Sequence, residues 1–255
     1  MSRITTLRDL EQRDGGGGGG FQGSGFMLGS GKQHKNSCMQ CLDLFFPGFK
    51  LETVTFLFFV ILVTVFVVTK VVFDTLIMGN TSGNPAVWIC HLHFFGAKYT
   101  YDIVNNYQVW RLLTASLLHT SILHLVNNCL GILFFGFTVE SQVKSWKEFV
   151  MILTLGAYEG NVLSAIFQPY QIGTGAGACI WAVVGVGAVW FKINYVKLGE
   201  RQRQLFYILA IIIGCFALLD ILTGKFDVWV HVGGLSVGLP LGVLVLQTSS
   251  QESFR

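Results

Sequence analysis

Charge is what this chain is short of: Asp, Glu, Lys and Arg make up 12% of its 255 residues, about half the share usual in a soluble domain. With 52% hydrophobic residues, such a balance belongs in a bilayer rather than in water. A disulfide framework is also missing. The six cysteines are spread over tail, loop and apolar segments without the spacing of a stapled scaffold or a zinc site, so they set no redox compartment. His91 and His93 beside Cys90 offer too few donors to hold a metal, and neither a metal nor a cofactor is expected. The net charge of +3 comes from scattered residues, which excludes nucleic acid as a partner class. No apolar core follows the early Arg3, Asp9, Glu11 and Arg13, so a cleavable signal peptide is not expected. The acidic residues weigh against a transit peptide.

What the chain does have is a series of long apolar runs. Crossing the hydrocarbon takes roughly 20 apolar residues, and six stretches qualify: Thr53 to Leu76, Leu112 to Phe137, Phe149 to Phe167, Ala178 to Tyr195, Leu205 to Leu222 and Val228 to Leu246. The fold expected is therefore an all-α membrane protein with six transmembrane helices over residues 51–247. Residues 1–50 read as a disordered tail, because the glycine run Gly15 to Gly20 buries too little apolar surface to offset ordering entropy. Residues 248–255 read as a short second tail. Cys38 and Cys41, just before the first span, are sites where acylation or two plain thiols are equally consistent.

Lysine and arginine near the span ends favour a cytosolic amino terminus. That orientation puts Lys32, Lys35, Lys50, Lys144, Lys147, Lys192, Lys197, Arg201, Arg203 and Arg255 on the cytosolic side, against Lys98, Arg111 and Lys225 opposite. Both tails are then cytosolic, and the 78–110 segment, rich in Trp, His and Phe, lies at the exoplasmic interface. The membrane itself reads as an endomembrane or the plasma membrane.

Polar groups inside membrane segments are costly and usually functional. The second span opens with Trp110-Arg111 and continues through His119, His124 and Asn128. His124 and Asn128, four apart, share one helix face. The fourth span is introduced by Gly173-Thr174-Gly175-Ala176-Gly177-Ala178 and continues along one face with Trp181 and Gly185. The sixth carries His231, Gly234, Gly238 and Gly242, a small-residue stripe with a histidine at its exoplasmic end. Two such stripes can pack backbone to backbone, which would bring His231 opposite Gly177 and Trp181 at the depth of His124 and Asn128. Glu159 falls within the third span and should face the protein interior, protonated or paired.

In this order the motifs resemble those of the rhomboid intramembrane serine proteases, over about residues 86 to 246. Trp110-Arg111 is similar to the Trp-Arg before that family's second core helix. His119, His124 and Asn128 match its His-x4-His-x3-Asn, and Gly136 to Glu140 its Gly-x3-Glu. Gly160-Asn161 resembles the Gly-Asn of the third helix, and His231-Val232-Gly233-Gly234 with Gly238 the catalytic His-x2-Gly-x3-Gly of the sixth. One position departs. Where the family has Gly-x-Ser-Gly, this chain has Gly175, Ala176, Gly177 and Ala178, so Gly177 stands in place of the nucleophilic serine.

The resemblance implies a site with His231 as former general base and His124, Asn128 and His119 in the former oxyanion-hole region. Trp181, Trp110 and Arg111 are then expected on the substrate-binding side. Hydrolysis through an acyl-enzyme needs a hydroxyl and a base, and glycine offers no side chain. The expectation is thus a catalytically inactive relative that binds transmembrane segments of client proteins without cutting them. Two rivals stay open: an active protease with an unconventional nucleophile, for which Thr174 and then Ser164 would be the candidates, and a structural subunit of a larger membrane assembly.

Overall fold

The computed structural model describes residues 50–70, 85–222 and 227–252, so the expected Gly-rich tail and the end of the first span, 71–76, lie outside the described residues. Among those described, the secondary structure is helical, with one isolated antiparallel bridge between Lys98 and Gly173. The helices are α1 (Val54–Val67), α2 (Pro85–Phe94), α3 (Thr100–Asn105), α4 (Arg111–Thr114), α5 (Ile122–Glu140), α6 (Trp146–Phe167), α7 (Gly177–Asn194), α8 (Glu200–Leu222) and α9 (Val228–Glu252). Among the described residues, four segments are long and apolar enough to cross a membrane: Ile122–Glu140, Trp146–Phe167, Gly177–Asn194 and Val228–Leu246. Val54–Lys70 and Phe206–Cys215 are shorter apolar helices. The protein is a multi-pass integral membrane helix bundle.

The second span corrects the expectation. It begins at Ile122, not at Leu112, because Arg111–Thr114 and a 3-10 turn at Ala115–Leu117 form a separate unit and the backbone turns extended at Leu118. Ser121 then starts a new helix, its side chain accepting from the His124 amide, the usual N-cap arrangement. His119 consequently sits in the linker before α5 and not on the helix face of His124 and Asn128. At the other end of the chain, α9 runs on to Glu252, past the end of its apolar stretch.

The centre of the bundle is α6, α7 and α9, held at backbone distance by glycine. A Cβ on Gly233 would come 2.5 Å from Cα of Gly160, and one on Gly238 2.1 Å from the carbonyl oxygen of Ala182. Helices that approach this closely gain dispersion contacts over their whole length, the main attraction available between helices in lipid. Asn161 is buried among them and donates to the carbonyls of Leu112 and Ala157 and to Ser116 Oγ, which moors the α4 unit on α6.

A second mooring joins α1 to α5. Glu140, closing α5, accepts from the amides of Val54 and Thr55 and from Thr55 Oγ1, all at 2.7–2.8 Å. These satisfy first-turn donors of α1 that have no partner within the helix, with a negative charge at the favourable end of the dipole. Charge-assisted bonds of this kind contribute about 1.5–3 kcal/mol. Glu140→Ala is therefore expected to lower the unfolding free energy in detergent by about 2–3 kcal/mol, with Glu140→Gln losing less. An unchanged unfolding midpoint for the alanine variant would count against this role.

Candidate functional site

Three helix ends and a glycine loop meet at one end of the bundle. Gly175 has φ +114°, a conformation in the left-handed half of the map that favours glycine, and its amide donates to the Ala115 carbonyl at 2.9 Å. That turn lays the loop against α5. A Cβ on Gly175 would lie 2.6 Å from His124 Nε2 and 3.4 Å from Asn128 Nδ2, so both side chains reach the backbone just ahead of α7. His124 is oriented by a 3.2 Å contact between its Nδ1 and Thr120 Oγ1, and Asn128 Nδ2 donates to the His124 carbonyl at 3.1 Å. The His119 ring meets His124 edge-on at 5.1 Å, which places His119 behind the site as packing for His124.

Gly177 is the first residue of α7. A Cβ built there would point at His231, 3.0 Å from Nε2 and 3.4 Å from Cδ2. The Trp181 ring lies 5.4 Å from the His231 ring at a tilt of 55°, one turn further along α7. Gly177, Trp181, His231, Asn127 and Asn128 line a cavity of about 40 Å³ together with Ile213, space enough for water. His231, His124, Asn128 and a small cavity thus surround a position that carries no side chain.

The other hydroxyls are placed elsewhere. Thr174 stays in the loop ahead of α7. Ser164 is fully buried, receives a hydrogen bond from Lys98 Nζ at 2.8 Å and donates to Asp227 Oδ2 at 2.5 Å. Glu159 is half-buried and has no ion-pair partner among the described residues. No group of three or more His, Cys, Asp and Glu converges to hold a metal among them either.

Trp110 and Arg111 do not line the cavity. Arg111 is buried and organises the segment before α5: it donates to the carbonyls of His93 and Ala97 and to Gln108 Oε1, and pairs with Asp102 at 3.3 Å. Burial alone would push the Asp102 carboxyl up. Hydrogen bonds from Asn106 and His93 and the Arg111 charge outweigh it and hold the group below its ordinary value. Trp110 lies against Gly96 and under the Arg111 guanidinium, 4.8 Å from ring to Cζ.

Lys98, which the sequence marks only as an orientation charge, and Asp227 join the residues around the site. Asp227 Oδ1 accepts from the amides of Trp229 and Val230, an N-cap for α9, and an aspartate just before an apolar run is a signal that could have found it.

A second cavity, of about 240 Å³, lies between α5, α7 and α8, lined among others by Phe135, Thr138, Val184, Phe191, Leu209 and Ile213. Phe135 and Ile213 line both cavities, so the apolar cleft between α5 and α8 shares a wall with the Gly177 and His231 space. The first turns of α8 are pinned by aromatic contacts, Trp190 to Phe206 at 5.3 Å and Phe191 to Phe206 at 4.6 Å.

Residues 106–248 match the Rhomboid domain family. Among curated proteins the chain is 28% identical over 254 residues to Rhomboid-like protease 1 of Toxoplasma gondii, covering 96% of this chain and 84% of that one. It is 29% identical over 150 residues to Rhomboid-like protease 3 of the same organism, covering 59% of this chain and 56% of that one. With RHOMBOID-like protein 6, mitochondrial, of Arabidopsis thaliana it shares 30% over 166 residues, 64% of this chain and 53% of that one. The matched region thus spans little more than half the length of the last two relatives.

Proposed function

Because the chain belongs to the rhomboid family, we propose that it acts as a pseudoprotease, which binds transmembrane segments of client membrane proteins at a protease-like site and does not cleave them. The observation that carries this reading is Gly177 facing His231 Nε2 at the distance of side-chain contact. Proton abstraction by His231 has no hydroxyl to act on, and the acyl-enzyme route is closed at its first step. His124 and Asn128 would still offer donors to a carbonyl oxygen, so a client backbone can be held where a substrate would be polarised.

The route by which a client reaches the site is the cleft between α5 and α8. Its lining is apolar, as a helix arriving from lipid requires, and Phe135 and Ile213 separate it from the space beside Gly177 by side chains alone, which supports this route. The distribution of lysine and arginine supports a protein with both termini cytosolic and the site at the exoplasmic end, in an endomembrane or the plasma membrane.

The test is photo-crosslinking in liposomes with a single-span peptide whose helix is weakened by glycine and proline. A photoreactive residue at Ile213 is expected to capture the peptide, whereas one at Met151, on the outer surface of α6, is not. Equal capture at both positions, or none at Ile213, would sink the binding proposal.

A further inference from the structure

Lys98 is fully buried, although it lies in a connecting segment between α2 and α3. Burying a lysine is costly unless it is paired and hydrogen-bonded, and its partners are specific. Nζ donates to Ser164 Oγ at 2.8 Å and to the Gln168 carbonyl at 3.0 Å. Ser164 Oγ passes the contact on to Asp227 Oδ2. A cation and a carboxylate are thus bridged by one hydroxyl at the junction of three chain segments. Burial pushes the Lys98 ammonium down to about 8, while the Asp227 charge acts in the opposite sense.

The backbone of the same residue makes a second attachment. The Lys98 amide donates to the Gly173 carbonyl at 2.9 Å, and the Gly173 amide to the Lys98 carbonyl at 3.0 Å. A Cβ on Gly173 would meet Lys98 Cε at 2.9 Å, so the lysine stem needs glycine there to pass. Gly173 stands four residues ahead of Gly177, and Asp227 four residues ahead of His231. One residue therefore touches the first of the two segments that deliver the halves of the site and reaches the second through the Ser164 hydroxyl.

We infer that Lys98 is a positioning residue: its backbone fixes the loop that leads into Gly177, its side chain fixes the start of the helix carrying His231, and together they set the separation of those positions. The inference concerns geometry alone and does not rest on whether the site cuts or only binds.

It is tested by disulfide formation between Gly177→Cys and Val230→Cys in the full chain, with the bond located by peptide mass spectrometry. Val230 Cγ1 lies 3.7 Å from the Cβ position of Gly177, and disulfides tolerate little change in separation. A control pair, Gly131→Cys with Ile180→Cys, joins α5 to α7 where Gly131 faces the Ile180 side chain at 3.3 Å. Lys98→Met is expected to slow the first bond about tenfold or more while the control stays within about twofold, given the narrow geometric range of the bond. Should Lys98→Met fail to fold because Asp227 is left uncompensated, Lys98→Met with Asp227→Asn removes both charges and is expected to give the same split. Unchanged formation of the first bond overturns the inference. Equal slowing of both pairs overturns it too, since Lys98 would then serve the fold in general.

Discussion

Gly177→Ser is expected to cleave a helix-weakened transmembrane substrate in liposomes where the wild type does not. The Cβ this change adds lies 3.0 Å from His231 Nε2, closer than most side-chain contacts, so the ring must yield by a few tenths of an ångström. His231 has room to do so: beside it is the small cavity bounded by Ile213 and Asn128. The new hydroxyl then sits within hydrogen-bond reach of a base and next to the His124 and Asn128 donors. General-base assistance alone is worth about 10²–10⁴-fold, so the gain should stand clear of background. Two controls give the result its meaning. Gly177→Ala adds the same Cβ without the hydroxyl and should stay silent, and Gly177→Ser combined with His231→Ala should return to the wild-type level. A folded serine variant that stays silent, or one whose activity ignores His231, would show that the site has lost more than its nucleophile.

The largest effect on stability is expected at Gly238. Its added Cβ would fall 2.1 Å from the Ala182 carbonyl oxygen and 2.8 Å from the carbonyl carbon. Both atoms belong to backbone in the middle of α7, which cannot move aside as a side-chain tip can. Either α9 shifts away from α7, and the close packing of both helices goes with it, or the chain does not fold. Overpacking a tight core costs about 1–3 kcal/mol, and with backbone on the receiving side Gly238→Ala should reach or exceed the top of that range. Gly214 on α8 is the counterpart, since a Cβ there meets nothing within 4 Å. Gly214→Ala should be neutral or stabilising, by up to about 1 kcal/mol from helix propensity. Unfolding midpoints in detergent decide the matter. Equal midpoints for the two variants would mean that the α7 and α9 approach is looser than described.

How much of this could be read from the sequence differs from residue to residue. The glycine steps of α7 and α9 are local, and they did indicate helices packed at backbone distance with His231 near Gly177. The start of the second span was not readable. Leu112 to Leu118 is as apolar as a membrane helix, and hydropathy cannot distinguish a span from a short buried unit moored by Asn161 some 49 positions later. Only the Ser121 cap marks the true beginning. The Lys98, Ser164 and Asp227 cluster was invisible for a related reason: its members lie 66 and 63 positions apart, and a lysine in an interfacial loop looks like an orientation charge. Arg111 is similar, because two of its partners are backbone carbonyls, which any residue could have supplied.

Covalent labelling of the wild-type protein tests the central claim most directly. With a serine-reactive phosphonate in liposomes, under conditions in which Gly177→Ser is modified at that position, the wild type should carry no adduct and still be crosslinked to the client peptide at Ile213. A phosphonate adduct on the wild type, mapped to Thr174 or Ser164 and abolished by His231→Ala, would contradict the account and make the protein an active protease with a displaced nucleophile.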